Sequence, residues 1–364
     1  MPSSLIPPPT PHFGTLKHPV VRDLAWLIDA PDLVTTQWSG RPSRADLGLE
    51  DPQRLSRWLG EVDASPWGLE TLIGDTAFTR LGQYHERLWQ YLLDTAPGTA
   101  LLANNVRIQQ ERRTLGELDI LYRQRDSGDI VHLEVAIKFY LGLETGPGAA
   151  DDAMRWIGPG GLDSLALKVG HVSHHQLPLM HTATAQQALA TALAQPLKPS
   201  LTQPSEQPQS EPMSAALSRP LRSQLAMPGL LFYPWRDELP PPAIGHPNAY
   251  HGLWCRWSDW SALCASCPEL RFGTCLAKPH WLAPPLPEHW LPRDTLSRSL
   301  AAHFATYATP VQLMLARHPS RFADTPLAPG LAHDTTPPGG TGRRVFVVAD
   351  DWPRQIPLGP RQRP

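Results

Sequence analysis

The chain has 364 residues, 41% of them hydrophobic and 18% charged, with a formal net charge of −2. That is enough for one large globular domain or two modest ones, and it excludes a global basic field that would draw nucleic acid, though a local groove can still be basic. No run of about 18 apolar residues occurs, so no membrane span is expected. The opening MPSSLIPPPTPHFG has no charged start followed by an apolar core, so no signal peptide is expected and the protein is placed in the cytoplasm.

The spacing of apolar residues gives elements in chain order. Residues 1–15 read as a disordered lead, and 16–78 as an N-terminal helical segment. Within it, Val21, Leu24, Ala25, Leu27 and Ile28 predict an amphipathic helix over 16–34. Leu81, Tyr84, Leu88, Tyr91 and Leu92 predict a stronger helix over 79–98, stopped by Ala96-Pro97-Gly98. Three strands follow, at about 102–109, 116–124 and 130–141, the last two joined by Asp126-Ser127-Gly128-Asp129. A helix is expected near 162–176. The Ala, Gln, Pro and Ser-rich stretch 182–225 reads as a disordered insert, and PGLLFYP, 228–234, as a buried strand. From 235 to 364 the chain reads as an α+β extension, with short strands near 251–257, 279–283, 310–315 and 344–349 and a Pro/Gly loop over 325–342.

The hairpin carries chemistry. Strand side chains alternate, so residues two apart share a face. Glu117 and Asp119 project together from one strand, and Glu134, Ala136 and Lys138 from the next. With matched faces, Asp119 and Glu134 can chelate one hard divalent cation, Mg2+ or Mn2+. Glu86, in the helix upstream, is a further carboxylate. Only five of the 32 basic residues are lysines, and Lys138 and Lys168 both lie in this region. Either ammonium could activate water or stabilise charge on a phosphate.

The order from 79 to 234 is helix, three strands, helix, strand. With GELD (116–119) and HLEVAIK (132–138), it resembles the PD-(D/E)xK nuclease superfamily. HPVVRDLAWL, RLGQYHERL, GELDIL, HLEVAIKFYLG, WIGPGGLDSLALK and HHQL further resemble a bacterial family known as domain of unknown function 1853. The resemblance implies an α/β fold with a PD-(D/E)xK-like core, and Mg2+-dependent hydrolysis of phosphodiester bonds in DNA or RNA. Asp119 and Glu134 would bind metal, Glu86 would assist, and Lys138 or Lys168 would be the catalytic lysine, with Gln176 touching substrate. The superfamily's lysine stands two residues after the glutamate, where this chain has Ala136. Lys138 lies about 13 Å along the strand from Glu134, at roughly 3.3 Å per residue. Of the two, Lys138 is the favoured candidate, because its sequence neighbours suggest no structural partner. If neither lysine reaches the carboxylates, the alternative is a non-catalytic protein of the same architecture that binds nucleic acid or protein.

All four cysteines, Cys255, Cys264, Cys267 and Cys275, fall in CRWSDWSALCASCPELRFGTC. Cys264 and Cys267 form C-x-x-C, and the four could make a structural zinc site. The alternatives are a redox pair and plain packing in a Trp-rich segment. His171 and His175, four apart on the predicted helix, read as a polar face or as a metal-binding pair.

Overall fold

The computed structural model of the protein describes residues 15–74, 80–193, 221–318 and 342–357. Helix α1 (Pro19–Asp29) begins with proline at its first turn, where a missing N–H costs nothing. It stops at extended Ala30, before Pro31, which disfavours the helical conformation in the residue preceding it. The helix expected over 16–34 is shortened accordingly. A two-residue strand, β1 (Ser39–Gly40), precedes α2 (Pro52–Ala64). The Asp51 carboxylate caps α2 by accepting from the N–H groups of Gln53 and Arg54. Helices α3 (Trp67–Ile73) and α4 (Leu81–Thr95) follow.

Three strands then make an antiparallel meander: β2 (Thr99–Gln110), β3 (Arg113–Gln124) and β4 (Ile130–Val135). The third is shorter than the expected 130–141. The chain breaks at Ala136–Ile137 and resumes as β5 (Lys138–Gly142), which belongs to a different sheet. After β6 (Trp156–Ile157) come α5 (Leu165–His171), a π-helical turn (Val172–Gln176), α6 (Leu177–Leu179) and α7 (Ala183–Leu193).

Strands β7 (Leu221–Ala226) and β8 (Gly229–Pro234) repeat the same device. β7 runs parallel to β4, with Ile130 opposite Leu221 and Val135 opposite Ala226, and β8 runs parallel to β5. The interruption falls at Met227–Pro228, where proline offers no N–H to the ladder. Two backbone bonds carry the pairing across it: Ala136 N–H to the Ala226 carbonyl (2.9 Å) and Lys138 N–H to the Pro228 carbonyl (3.2 Å). One parallel strand pair thus serves two sheets.

The first sheet has the order β1-β7-β4-β3-β2. Its closing strand after the helical segment is β7, not the 228–234 strand that the sequence suggested. β7 and α7 both lie inside the stretch read as a disordered insert. α7 buries Ala185 and Leu189 in one cluster with Ile108, Leu118 and Leu121. The middle of that stretch, the expected disordered lead up to residue 14 and the 325–341 part of the Pro/Gly loop lie outside the described residues.

The second sheet has the order β11-β10-β12-β13-β9-β8-β5-β6. Its later strands are β9 (Tyr250–Arg256), β10 (Phe272–Cys275), β11 (Leu291–Pro292), β12 (Val311–Ala316) and β13 (Gly342–Val348). Helices α8 (Trp260–Ser266) and α9 (Arg293–Thr306) accompany them. The sheet is built across residue 235, since β8 pairs in parallel with β9. β10 was not anticipated. The strand expected at 279–283 is instead a loop anchored to α1. There Asp23 accepts from Ala283 N–H (2.9 Å) and Tyr84 Oη–H (2.6 Å) and bonds His280 Nδ1 (2.7 Å). Trp26, Trp89, Leu133, Phe139, Phe232 and Phe346 share one apolar cluster, which ties α1 and α4 to both sheets. Among the described residues, no helix is long and apolar enough to cross a membrane.

Candidate active site

The β3–β4 ladder pairs Ile120 with Leu133 and ends there. The next residues along are Asp119 and Glu134. The Val135 N–H is taken by Asp119 Oδ2 at 3.1 Å, so a side chain replaces a backbone acceptor where the ladder stops. Ile120 and Leu133 lie in the cluster with α1 and α4. By alternation Asp119 and Glu134 both project to the opposite face, where α5 lies.

Glu134 is 1% exposed. Burial raises its pKa well above the usual carboxylate range, the Asp119 charge raises it further, and Lys168 opposes both. Asp119 is raised too, chiefly by burial, against the Val135 N–H, Glu134 and Lys168. Of the two carboxyls, Glu134 is the one pushed well above the ordinary range, because its burial is the deeper and the Asp119 charge adds to it. Glu134 Oε2 has no hydrogen-bond partner among the described residues.

Lys168 Nζ lies 3.4 Å from Glu134 Oε1 and 3.4 Å from Gln176 Oε1. The π turn explains the second contact. Residues eight apart on an α-helix differ by about 80° in direction. The turn at Val172–Gln176, closed by Leu177 N–H on the Val172 carbonyl, inserts an extra residue and brings Gln176 back to the Lys168 face. Lys168 therefore supplies an ammonium beside Glu134 although position 136 is alanine.

Lys138 does not reach the carboxylates. The break at Ala136–Ile137 puts it in the second sheet, where its Nζ pairs with Asp163 Oδ2 at 2.6 Å. That partner lies 25 residues on and was not foreseen. Preference for Lys138 over Lys168 is thereby corrected.

Glu86 makes no direct contact with either carboxylate among the described bonds. It accepts from Gln90 Nε2 (2.8 Å) and from Asn105. Burial raises its pKa first, with Asp119 and Glu117 adding to the rise. Glu117 accepts from Asn105 Nδ2 (3.0 Å) and Arg107 Nε (3.4 Å). Sequence reading passed over Asn105 and Arg107, for which polar residues along β2 were the available signal, and Arg87, next to Glu86 on α4. It also missed the significance of His132, fully buried on the Glu134 face with no partner for either ring nitrogen among the described residues. Burial, then the His181 charge, lowers its pKa to about 3.

Among the described residues, no three His, Cys, Asp or Glu side chains gather as a metal-holding group. Mg2+ does not demand one, since it keeps several waters and is often held by one or two carboxylates. The buried, donor-poor Glu134 oxygen beside Asp119 fits such an ion. The four cysteines form no disulfide, and no three of them gather as a metal-holding group among the described residues. Cys255, Cys264 and Cys267 are buried in one apolar cluster, and Cys275 is exposed. Cys267 Sγ–H is held by the Leu263 carbonyl (3.1 Å). Burial pushes the Cys264 thiol up to about 11. His171 and His175 remain exposed, their ring centres 5.5 Å apart.

No curated protein and no solved structure matches the chain. The family described as Domain of unknown function (DUF1853) matches residues 22–348. That span covers most of the 364 residues, and the chain belongs to this family.

Proposed function

We propose that the protein is a Mg2+-dependent nuclease that hydrolyses phosphodiester bonds in DNA or RNA. The observation that carries the reading is the Asp119–Glu134–Lys168 constellation: two carboxylates on one sheet face, with an ammonium 3.4 Å from Glu134. Its setting supports a PD-(D/E)xK-like core, since α4, β2, β3, β4, the α5 segment and β7 follow in that order and the strands lie side by side as β2-β3-β4-β7.

Asp119 and Glu134 would hold the ion, which supplies charge stabilisation at the phosphate and a lowered water pKa. The remaining work falls to the chain itself. The Val135 N–H fixes the orientation of Asp119. Glu134, with Oε2 free of any described partner, offers an oxygen to the ion. Lys168, steadied by Gln176, places a point charge where the transferring phosphate gains negative charge. Glu86 positions Asn105 and adds negative potential.

A panel of DNA and RNA substrates with Mg2+ or Mn2+ tests the reading. Cleavage by the wild-type protein that Asp119→Asn and Glu134→Gln each abolish is the expected result. A second reading, a non-catalytic nucleic-acid- or protein-binding protein, draws on Ala136 at the superfamily's lysine position. Binding without cleavage under every metal would replace the first reading with the second.

A further inference from the structure

A cleft of about 450 Å3 lies between α4 and the β2–β3 hairpin, lined by Gln83, Glu86, Arg87, Asn105, Arg107 and Glu117. It adjoins the carboxylate pair: Glu117 is two residues from Asp119 on β3, and Glu86 is close enough to feel the charges of both. Nothing in the proposed chemistry uses its arginines.

Three features describe what it can hold. First, its lining is amide, guanidinium and carboxylate, with no aromatic ring. It therefore has no platform for stacking a base. Second, both guanidiniums are loosely engaged. Arg107 is 73% exposed and contacts Glu117 at 3.4 Å, a surface pair that costs little to part. Arg87 gives one described bond, Nη1 to Gln90 Oε1 at 2.9 Å, from a group with five N–H donors. Such forks match phosphate oxygens two at a time. Third, Asn105 sits inside β2 with φ of +52°, a left-handed conformation that asparagine tolerates better than most residues. Its amide donates to Glu117 Oε1 at 3.0 Å and lowers the Glu86 pKa against burial, so it competes with Arg107 for Glu117 and eases release of that guanidinium to an anion.

We propose that this cleft seats the nucleic-acid phosphate next to the one cleaved at the Asp119–Glu134–Lys168 site, through Arg87 and Arg107, without contacting a base. The inference rests on the nuclease reading and adds to it a substrate seat that is indifferent to sequence, because phosphate contacts position a strand but do not specify it.

The test is binding of labelled single-stranded oligonucleotides to the full chain in chelator, where no cleavage intervenes, across a salt series. Arg87→Ala and Arg107→Ala should each weaken binding about five- to tenfold, and each should lower the slope of log Kd against log salt by about 0.7, one phosphate contact on a single strand. The losses should be equal for homopolymer and mixed sequences. Arg298→Ala, on α9, should leave affinity and slope unchanged. Wild-type binding that neither cleft variant alters would overturn the seat and leave the nuclease reading standing. Losses confined to one sequence would overturn the base-independent claim. A wild-type chain that binds no oligonucleotide would remove both the seat and the reading beneath it.

Discussion

Lys168 approaches Glu134 from a helix, its Nζ 3.4 Å from Oε1, and so occupies a place that strand spacing alone cannot supply in a chain with alanine at 136. Removing each lysine should therefore give opposite results. Lys168→Ala should lower the cleavage step by about 10²–10³, the usual loss for a donor aimed at developing charge, with a smaller change in binding. Lys138→Ala breaks a half-exposed pair with Asp163 and should cost about 1 kcal/mol or less of stability while sparing turnover. Single-turnover rates and denaturant midpoints for the two variants check this; cleavage lost on Lys138→Ala alone would reverse the assignment.

Metal uptake should release a proton. Burial and the Asp119 charge raise the Glu134 pKa well above the ordinary range, against Lys168, and a hard cation needs the carboxylate. Apparent Mg2+ affinity should rise about tenfold per pH unit for one released proton, from the ordinary carboxylate range upward until Glu134 ionises unaided. Calorimetry in buffers of different ionisation enthalpy counts the proton. Glu134→Gln should abolish both the binding and the release.

Stability against pH should carry two opposing contributions. The raised pKa of Glu134 means that the folded state holds its proton more tightly than the unfolded chain. Its contribution is complete below the ordinary carboxylate pKa and is lost as pH rises toward the folded value. His85 and His132 act in the other direction. Both are buried and neutral, lowered to about 3 by burial first. Each should cost about 1.4 kcal/mol per pH unit as pH falls below about 6.5. Melting temperature against pH should show both, and Glu134→Gln should remove the loss on rising pH while leaving the histidine loss on falling pH.

The thiols should behave as packed groups. Cys275 should react with a thiol reagent in the folded protein, and Cys255, Cys264 and Cys267 only on unfolding. Chelator should leave the melting temperature unchanged. About one zinc per purified chain, lost together with stability, would contradict this.

Gly229 opens β8 where the strand pair changes sheets. A Cβ there would stand 1.7 Å from the Lys138 carbonyl oxygen and 3.1 Å from Leu33 Cδ1. Gly229→Ala should destabilise by about 1–3 kcal/mol, as overpacking does, visible as a lower urea midpoint.

Period-two alternation made Asp119 and Glu134 readable from sequence, because both sit in a hairpin whose faces are set by its turn. Lys138 misled because nothing near Ala136 marks a strand break. That break depends on a partner strand about 90 residues later in the chain, and Asp163 becomes its neighbour only in the fold. β7, LRSQLA, carried no strand signal because its polar residues answer to distant groups: Ser223 Oγ–H to the Leu177 carbonyl (2.9 Å), and Gln224 Oε1 accepting from Tyr122 Oη–H (2.6 Å). The 279–283 loop looked apolar enough for a strand, but it follows Asp23, some 260 residues earlier.

The shared strand pair has a consequence for truncation. A chain ended after Pro234 would keep every residue of the carboxylate–lysine constellation, yet β8 would lose β9 along its whole length. Five residues of unpaired backbone, among them the buried Leu230, Leu231 and Phe232, would then lie open as a template for another copy to add on. The segment bearing the carboxylate–lysine constellation is therefore not a detachable module: its open sheet edge is covered by the last third of the chain.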